Sequence, residues 1–418
     1  MGKVKETPIW DEGVQMSHFP ALTGSEETEV AIIGGGIAGL SAAYLLSQAG
    51  IRSVLLEENK IGHGATGVTT AFLTQYIDTE INDLIAMFGQ EKARAIFASH
   101  AAAIDIIEQI IAEERIDCEF TRCVNYIYAN SEDENKKLLD EEKVAHDLGV
   151  EMQFKARGLP FTSAGYLELP RQAKFHPLKY VKALVNANRG RGVTMYEETE
   201  VKSITSQVSG VLLKTAGGSV HAKHAIVATY APFDKKLYFK KAFYTTYIIQ
   251  GSLPKKTVAE GIYEDMANPY HYFRVDRNKE KDRVILGGAD HRSDIPMNAE
   301  KNFTSLEDYA KKLFPDVSFK VDRRWSGPII ESVDGLAFIG PMQEKNVFYA
   351  TGFSGNGMTY GTIAAKMATD YIKGRSNPWQ SLYDPMRVPT VKQLAYKGQD
   401  YTRELFGGAV KNTIGQRD

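Results

Sequence analysis

The feature that most restricts the fold of this chain is a glycine turn with the pattern G-x-G-x-x-G at residues 34–39. Before it, residues 29–33 predict a short strand, and after it residues 37–49 carry apolar side chains at helical spacing. A second strand is expected at residues 52–57, where it ends in Glu57. This order predicts a complete βαβ unit, and therefore an α/β fold.

The spacing of these glycines is the one that dinucleotide-binding βαβ units use. Gly34 permits the tight turn, Gly36 lets the backbone approach a pyrophosphate, and Gly39 lets the helix pack closely against the strand. Glu57 can accept the hydroxyls of a ribose and argues against a 2′-phosphate, and hence against NADP. An ordinary glycine-rich βαβ turn is the alternative interpretation. The residues expected to contact the dinucleotide are Gly34, Gly35, Gly36, Ile37, Ala38, Gly39, Glu57 and Glu58.

NAD and FAD share this glycine pattern, so the choice between them depends on other residues. Residues 60–70 follow Glu57 and are rich in small and hydroxyl side chains. Such a segment suits a chain that wraps a diphosphate and the ribityl arm of a flavin, although an ordinary polar loop would have the same composition.

The far end of the chain decides between the two cofactors. Residues 349–361 read Y-A-T-G-F-S-G-N-G-M-T-Y-G between a predicted strand and a predicted helix. Here the sequence resembles the FAD-dependent D-amino-acid oxidase superfamily, which includes sarcosine oxidase, glycine oxidase and γ-glutamylputrescine oxidase. In that family a helix N-terminus at this motif faces the pyrimidine oxygen of the flavin, where its dipole stabilises negative charge.

The resemblance runs from about Glu29 to Pro385 and is strongest to flavin domains that some bacteria fuse to a Rieske iron–sulfur domain. The shared patterns are G-A-T-G-x-T-T-A at residues 64–71 and G-G-x-D-H at residues 287–291. This chain contains no C-x-H pair, so we expect no Rieske module and no internal electron acceptor.

The resemblance implies a Rossmann-like FAD-binding domain interleaved with an antiparallel-sheet substrate domain, that is, an α/β fold with an α+β second domain. The expected FAD-binding domain comprises residues 28–80, 150–232 and 325–375, and the expected substrate domain comprises residues 81–149 and 233–324, with a C-terminal tail at 376–418.

The resemblance also implies which further residues contact the cofactor. We expect non-covalent FAD, because no cysteine lies beyond Cys123 and the position that matches the His-linked members is Val68. The further cofactor contacts expected are Ala65, Thr66, Val68, Thr69, Thr70, Val201, Ala228, Thr229, Gly352, Phe353, Ser354, Gly355, Asn356, Gly357, Met358 and Thr359.

Two departures from the family pattern affect the expected chemistry. The lysine that activates oxygen in sarcosine-oxidase-like members aligns with Ile285, which predicts slow electron transfer to O₂ and an external electron acceptor. The arginine that binds a carboxylate in glycine-oxidase-like members aligns with Ile329, which argues against an α-amino-acid substrate.

Three residues are candidates for catalysis or substrate binding. Arg274 could bind an acid group, although an ion-paired structural arginine is the alternative. His291 could accept a proton with Asp290 orienting it, and a structural histidine is equally consistent. Tyr247 is expected to line the pocket.

We therefore expect an FAD-dependent dehydrogenase that oxidises a C–N bond of a small amine or amino acid by hydride transfer to flavin N5. The alternatives are a 2-hydroxy-acid or glycerol-phosphate dehydrogenase, for which the adjacent pair Arg323-Arg324 would supply cations, and an electron-transfer subunit without substrate turnover. The net charge of -2 argues against a nucleic-acid partner. Two cysteines, no metal-binding spacing, no signal peptide and no transmembrane segment predict a cytoplasmic enzyme without a metal site.

Overall fold

The chain folds into two compact units in the computed structural model, which describes residues 4–231, 237, 241–267, 269–344, 346–391 and 393. Each unit is built from three separate segments of the chain, which confirms the interleaved organisation. Unit 1 comprises Met1–Val14, Gly67–Tyr180 and Tyr244–Pro328, and unit 2 comprises Gln15–Thr66, Val181–Phe243 and Ile329–Asp418.

The elements are named in chain order. The strands are β1 (Gly24–Ile33), β2 (Ser53–Leu56), β3 (Phe72–Leu73), β4 (Thr121–Ala129), β5 (Gln153–Lys155), β6 (Gly165–Lys174), β7 (Thr194–Tyr196), β8 (Val201–Gln207), β9 (Gly210–Thr215), β10 (Gly218–Tyr230), β11 (Lys241–Leu253), β12 (Gly261–Asp265), β13 (His271–Asp276), β14 (Asp282–Arg292), β15 (Lys320–Ser332), β16 (Phe338–Pro341) and β17 (Val347–Thr351). The α-helices are α1 (Ile37–Gln48), α2 (Ile81–Phe88), α3 (Gln90–Glu114), α4 (Glu132–Leu148), α5 (Pro177–Gly190), α6 (Ala299–Leu313), α7 (Gly357–Ile372) and α8 (Gln380–Tyr383). Short 3-10 helices span Ile9–Asp11 and Ala65–Val68.

Unit 2 contains an eight-stranded sheet with the path β16-β17-β10-β1-β2-β7. Strand β1 pairs in parallel with β10 and with β2, and β10 pairs in parallel with β17. The last four residues of β1, at 30–33, are all buried, as expected for a strand covered on both faces. The predicted βαβ unit and its parallel sheet are confirmed.

Unit 1 contains a nine-stranded sheet with the path β15-β11-β14-β13-β12-β4-β6-β3, and β5 lies beside β6. Most strand pairs of this sheet are antiparallel, as expected, but β12 runs parallel to β4. These strands are far apart in sequence, and a long connection removes the restriction to antiparallel pairing that a hairpin imposes.

The two faces of this sheet differ because successive side chains of a strand point to opposite faces. One face packs against α6 through an apolar cluster, and we call it the α6 face. The opposite face packs against two indole rings, and we call it the tryptophan face. The α6 face includes Tyr247, Tyr263, Phe273 and Leu286 with Phe303 and Leu306 of α6, and the tryptophan face includes Ile248 and Ile285 with Trp10 and Trp325.

The boundaries of the units differ from the predicted domain boundaries in several places. Residues 325–328, expected in the FAD-binding domain, belong to unit 1, and residues 233–243, expected in the substrate domain, belong to unit 2. The largest differences are residues 67–80 and 150–180, which were expected in the FAD-binding domain and belong to unit 1. The reason is strand pairing, since β6 hydrogen-bonds to both β4 and β3 of the unit 1 sheet. Most of the expected tail, at 392 and 394–418, lies outside the described residues.

Helix α3 is long and apolar enough to cross a membrane by length and composition alone. Its isoleucine side chains Ile96, Ile104, Ile107 and Ile110 are, however, buried within the protein. A buried apolar face is what the core helix of a folded domain presents.

Candidate active site

The glycine turn of unit 2 has the backbone geometry that its sequence predicts. Gly34 has a φ of +110°, and a Cβ atom there would collide with the carbonyl oxygen of Ala228. A Cβ atom at Gly39 would collide with the carbonyl oxygen of Gly34, so helix and turn approach as closely as expected. A Cβ atom at Gly36 would lie 3.1 Å from Oγ1 of Thr66. Gly34 and Gly39 therefore require glycine, for backbone conformation or for lack of space, and a side chain at Gly36 would press on Thr66.

Helix α1 starts directly after this turn, at Ile37. Its N-cap is Gly36, which has no side chain to cap the helix, and the Ile37 N–H donates to Oγ1 of Thr66 over 3.1 Å. The buried Thr66 hydroxyl thus lies against the helix N-terminus, where backbone N–H groups favour an anion.

The carboxylate of Glu57 is oriented by two backbone amides. Its Oε2 accepts from the Gly35 N–H over 2.7 Å, and its Oε1 accepts from the Asn59 N–H over 2.9 Å. Burial raises the pKa of Glu57, although both of these hydrogen bonds oppose the shift. A carboxylate has about four lone-pair positions, so two stay open for hydroxyl donors. Glu58, also predicted to contact the dinucleotide, is exposed on the following bend.

The second glycine-rich segment joins β17 to α7 in unit 2, as predicted. Gly352 has a φ of +73°, and the Ser354 N–H donates to the carbonyl oxygen of Ile330 over 3.0 Å. Asn356 is the N-cap of α7, which starts at Gly357. Helix α7 also lies against α1, since a Cβ atom at Gly361 would be 3.0 Å from Cγ2 of Ile37. The other expected contacts of this segment are Phe353, Gly355, Met358 and Thr359, of which Phe353, Met358 and Thr359 are buried.

Three more predicted cofactor contacts lie on the strands of unit 2. Val201 is the buried first residue of β8, and Ala228 and Thr229 lie near the end of β10. The close approach of Gly34 to Ala228 brings the end of β10 directly beside the glycine turn.

In unit 1, side chains hold the backbone of the segment that contains Val68, Thr69 and Thr70. The indole N–H of Trp325 donates to the Val68 carbonyl over 2.9 Å, and that of Trp10 donates to the Thr69 carbonyl over 2.7 Å. These donors come from distant parts of the chain, and no local signal in the sequence identifies them.

Arg274 completes this set of donors, which corrects its expected role. Its Nη1 donates to the carbonyl oxygens of Thr70, Ala71 and Phe175, over 2.9, 3.2 and 3.0 Å. Its Nε and Nη2 each lie 2.9 Å from Oδ1 of Asp276. The side chain is 1% exposed. The prediction that Arg274 binds a substrate carboxylate is therefore wrong, because every edge of the guanidinium is already used within the fold.

Tyr247 and His291 lie on the other face of the sheet from Arg274. Tyr247 packs edge-on against Phe303 of α6, and His291 stacks on Tyr247 with ring centroids 5.6 Å apart. The three candidates consequently do not form one site. The physical reason is alternation along β13, since Phe273 belongs to the α6 face and its neighbour Arg274 must point away.

The expected pairing of Asp290 with His291 is also wrong. Nδ1 of His291 is buried without a hydrogen-bond partner among the described residues. The negative charge of Asp290 instead acts on the hydroxyl of Tyr272, which belongs to the tryptophan face. Adjacent strand residues point to opposite faces, which separates the two side chains.

Sequence reasoning missed a polar group on the tryptophan face, centred on Tyr272. The Tyr272 hydroxyl lies 2.9 Å from Oγ1 of Thr246. Burial raises the pKa of Tyr272, and the negative charges of Asp290, Asp78 and Glu264 raise it further. The sequence contained one indication of this group. Tyr272 and Arg274 are two residues apart on one strand, so their side chains are expected on the same face of the sheet.

Glu264 lies on the same face and has an unusual pKa. Its Oε1 accepts from Nδ2 of the buried Asn125 over 2.9 Å. Burial, together with the charge of Asp78, raises the pKa of Glu264 to about 8. A carboxyl group that titrates near neutral pH is suited to acid–base chemistry.

The two positions at which the family pattern has a cation are apolar in the structure as well. Ile285 is fully buried in the cluster with Trp10 and Trp325. Ile329 is 8% exposed.

Comparisons with known proteins agree with this description of the two units. The family model described as FAD dependent oxidoreductase, DAO, matches residues 29–371. A putative Rieske 2Fe-2S iron–sulfur protein, YhfW of Bacillus subtilis, is 29% identical over 417 residues, covering 97% of this chain and 82% of the relative. Gamma-glutamylputrescine oxidoreductase of Escherichia coli is 26% identical over 388 residues, covering 85% of this chain and 86% of the relative.

Among solved structures, glycine oxidase from Geobacillus kaustophilus has the same fold. It superposes with a TM-score of 0.73 at 18% identity, over 87% of this chain and 99% of the other. Because the family model spans most of the sequence, from the first strand to the last long helix, the chain belongs to the DAO family of FAD-dependent oxidoreductases.

Proposed function

We propose that this chain oxidises the C–N bond of an amine that lacks an adjacent carboxylate, with hydride transfer from the substrate carbon to N5 of FAD. The observation that carries the proposal is the charge around the Tyr272 hydroxyl, where the carboxylates of Asp290 and Asp78 act together, joined by Glu264 once it is deprotonated. Negative charge at a substrate site favours a cationic amine and disfavours an acid.

The basic side chains near this face also favour an amine over an acid as substrate, because they form ion pairs within the protein. Lys174 pairs with Asp276 and Glu260, each over 2.8 Å. Arg283 pairs with Asp276 over 3.0 Å. Burying a substrate carboxylate without a partner would cost several kcal/mol. Each of these cations, and Arg274 as well, is therefore already paired with a carboxylate of the fold.

The first alternative, oxidation of a hydroxy acid or a glycerol phosphate, would need an anion-binding pair. Arg323 and Arg324 were the candidates for that role. Arg323 contacts Glu12, and Arg324 pairs with Glu6 over 2.6 Å and with Glu300 over 2.7 Å. These ion pairs favour the amine over the acid.

The residues of unit 2 fit FAD. The turn at 34–39 has no side chain where a pyrophosphate must approach, and Glu57 keeps lone pairs for ribose hydroxyls. We assign the pyrophosphate to the start of α1 and the pyrimidine edge of the flavin to residues 352–359, where the start of α7 would stabilise negative charge. FAD, when bound, would itself accept the hydride. Position 68, which matches the histidine of the members with covalent flavin, is a valine here, and this supports non-covalent binding of FAD.

The chain itself would supply orientation and a proton acceptor. Hydride leaves a carbon only beside a neutral nitrogen, so the bound ammonium must first lose a proton. We assign Glu264 as the acceptor of this proton, because its pKa of about 8 is close to that of an effective general base. The imine product would then be hydrolysed by water.

Ile285 supports a dehydrogenase that passes electrons to an external acceptor. Transfer of an electron to O₂ creates negative charge, which a nearby cation stabilises. The buried isoleucine offers none, its neighbours Trp10 and Trp325 are uncharged, and the charge of its cross-strand neighbour Arg274 is balanced by Asp276. The free thiols of Cys118 and Cys123 are consistent with our placement of the protein in the cytoplasm.

Anaerobic bleaching of the bound flavin tests the proposal. The panel would contain secondary and longer primary amines, the amino acids glycine, sarcosine and D-alanine, and a 2-hydroxy acid. We expect amines without a carboxylate to bleach the flavin at least tenfold faster than the amino acids. Fast bleaching by D-alanine or sarcosine would refute the amine assignment, and fast bleaching by the hydroxy acid would favour C–O chemistry. If the whole panel leaves the flavin oxidised while dithionite reduces it, the electron-transfer subunit is favoured.

A further inference from the structure

One buried lysine of unit 2 has no role in the site described so far. Lys241 is the first residue of β11 and is only 1% exposed. Its Nζ donates to Oγ1 of Thr351, and the Thr351 hydroxyl donates to the carbonyl oxygen of Tyr230 over 2.6 Å. Burial lowers the pKa of Lys241 to about 6, so the amine is uncharged at neutral pH.

The described residues in contact with Lys241 present hydroxyl and carbonyl groups to it. Strand β17 presents the Thr351 hydroxyl, and the end of β10 presents Tyr230, whose pKa is raised by burial. Ser332, which also lies beside Gly352, donates its hydroxyl to Asp334, and that acid is paired with Arg387 over 2.7 Å. Among the described residues, no carboxylate forms an ion pair with Lys241, and desolvation alone accounts for its lowered pKa. At neutral pH, an amine buried in this way becomes charged when negative charge appears next to it.

The position of Lys241 indicates where that charge would come from. A Cβ atom at Gly352 would lie 3.9 Å from Cε of Lys241. Thr351 and Gly352 are consecutive residues at the end of β17, where the chain enters the turn before α7. The lysine therefore lies directly against the first residue of the segment that we assign to the pyrimidine edge of the flavin.

We infer that Lys241 is a positioning residue of the flavin site that is neutral while the flavin is oxidised and takes up a proton from solvent when the flavin is reduced. Hydride carries two electrons and one proton, and it leaves one negative charge on a neutral oxidised flavin. The Lys241 amine would bind a solvent proton and balance that charge as an ammonium. This inference rests on the assignment of residues 352–359 to the flavin in the proposed function.

Proton uptake on reduction can be measured without turnover. For a two-electron couple, each proton bound on reduction shifts the reduction potential by about 30 mV per pH unit. Between pH 6.5 and 8.5, wild-type protein would show a slope of about 60 mV per pH unit, one proton for the flavin and one for Lys241. Lys241→Met, which keeps the length and removes the amine, would show about 30 mV per pH unit and a lower potential at pH 7.

Two further variants separate charge from packing. Thr351→Val removes the hydroxyl partner but keeps the lysine and the side-chain shape, so we expect the wild-type slope with a modest change in potential. Lys241→Gln is the substitute if the methionine variant fails to fold, and it would also show the shallow slope. Exposed Lys202→Met is the surface control and would leave the slope unchanged.

The outcomes distinguish this inference from the proposed function. Equal slopes in wild-type protein and Lys241→Met, both with one FAD bound per chain, would overturn the inference and leave the proposed function intact. Different slopes combined with no bleaching by any amine would refute the substrate assignment and support the role of Lys241. A protein that binds no FAD would refute the assignment of residues 352–359 before any potential is measured.

Discussion

The indole N–H of Trp10 donates a 2.7 Å hydrogen bond to the carbonyl oxygen of Thr69. Trp325 and Arg274 hold the carbonyls on either side, at Val68 and Thr70. Side chains from three distant segments of unit 1 therefore fix three consecutive peptide groups, so contacts within the fold itself determine the conformation of this segment.

Replacing Trp10 by phenylalanine should weaken this arrangement without emptying the core. The ring stays, but the Thr69 carbonyl loses its donor, which we expect to destabilise the protein by about 1–3 kcal/mol. Urea unfolding measures the change. Trp379→Phe is the matched control, since the Trp379 indole makes no hydrogen bond with any residue that the structure describes. Equal losses in both variants would show that the hydrogen bond to Thr69 contributes nothing specific.

Arg274→Lys should destabilise the fold rather than change substrate preference. An ammonium cannot replace a guanidinium that bonds Asp276 and three carbonyls at once, and we expect a loss of roughly 3 kcal/mol. The exposed Arg189→Lys serves as the control in the same unfolding assay. A stable variant that has lost only its response to carboxylate substrates would restore Arg274 as a binding residue.

Gly36→Val should yield a folded protein without colour. The added side chain would project beside Thr66 into the space assigned to the pyrophosphate, and FAD affinity should fall by at least a hundredfold. Absorbance of the purified protein near 450 nm and titration of the apoprotein with FAD measure the loss. Gly190→Ala, where a Cβ atom meets nothing within 4 Å, should bind FAD normally. A yellow Gly36→Val protein would exclude the turn as the pyrophosphate site.

Glu264 should control the pH dependence of flavin reduction. A base works only when deprotonated, so the rate of anaerobic reduction should rise with pH through about 8, the pKa to which burial and Asp78 raise this carboxyl. Glu264→Gln should lower the rate roughly a hundredfold and remove that inflection. Two amines of different solution pKa separate the enzyme's titration from the substrate's. If the inflection in the rate-against-pH curve shifts with the solution pKa of the amine and persists in Glu264→Gln, Glu264 is not the proton acceptor.

Artificial dyes should reoxidise the enzyme at least tenfold faster than O₂. The reason is that Ile285, which aligns with the oxygen-activating lysine of the family, carries no charge, and its cross-strand neighbour Arg274 is already paired with Asp276. Dye reduction and peroxide production measured on the same preparation give the two rates. Ile285→Met, which keeps the site apolar, should leave their ratio unchanged. Comparable rates would mean that another cation in the protein supports the reaction with oxygen.

Several features of this protein could be predicted from its sequence because they depend on residues close together in the chain. The turn at 34–39 and the segment at 352–359 are local backbone conformations, which glycine permits and other residues do not. The αβ alternation around them likewise follows from side-chain spacing within single elements. These features were sufficient for the fold class and for the family.

The tertiary structure alone decided which side chains face each other in unit 1. Arg274 was expected to meet a substrate, yet it meets Thr70, 204 residues away in sequence, and Trp325 meets Val68 at a separation of 257 residues. Such pairs depend on strand order and on the face to which each strand turns its side chains. A one-residue shift in register reverses every face, and β12 pairs in parallel with a strand far earlier in the chain. Local spacing contains none of that information, so the separation of Arg274 from Tyr247 and His291, and the polar group around Tyr272, became visible only in the folded protein.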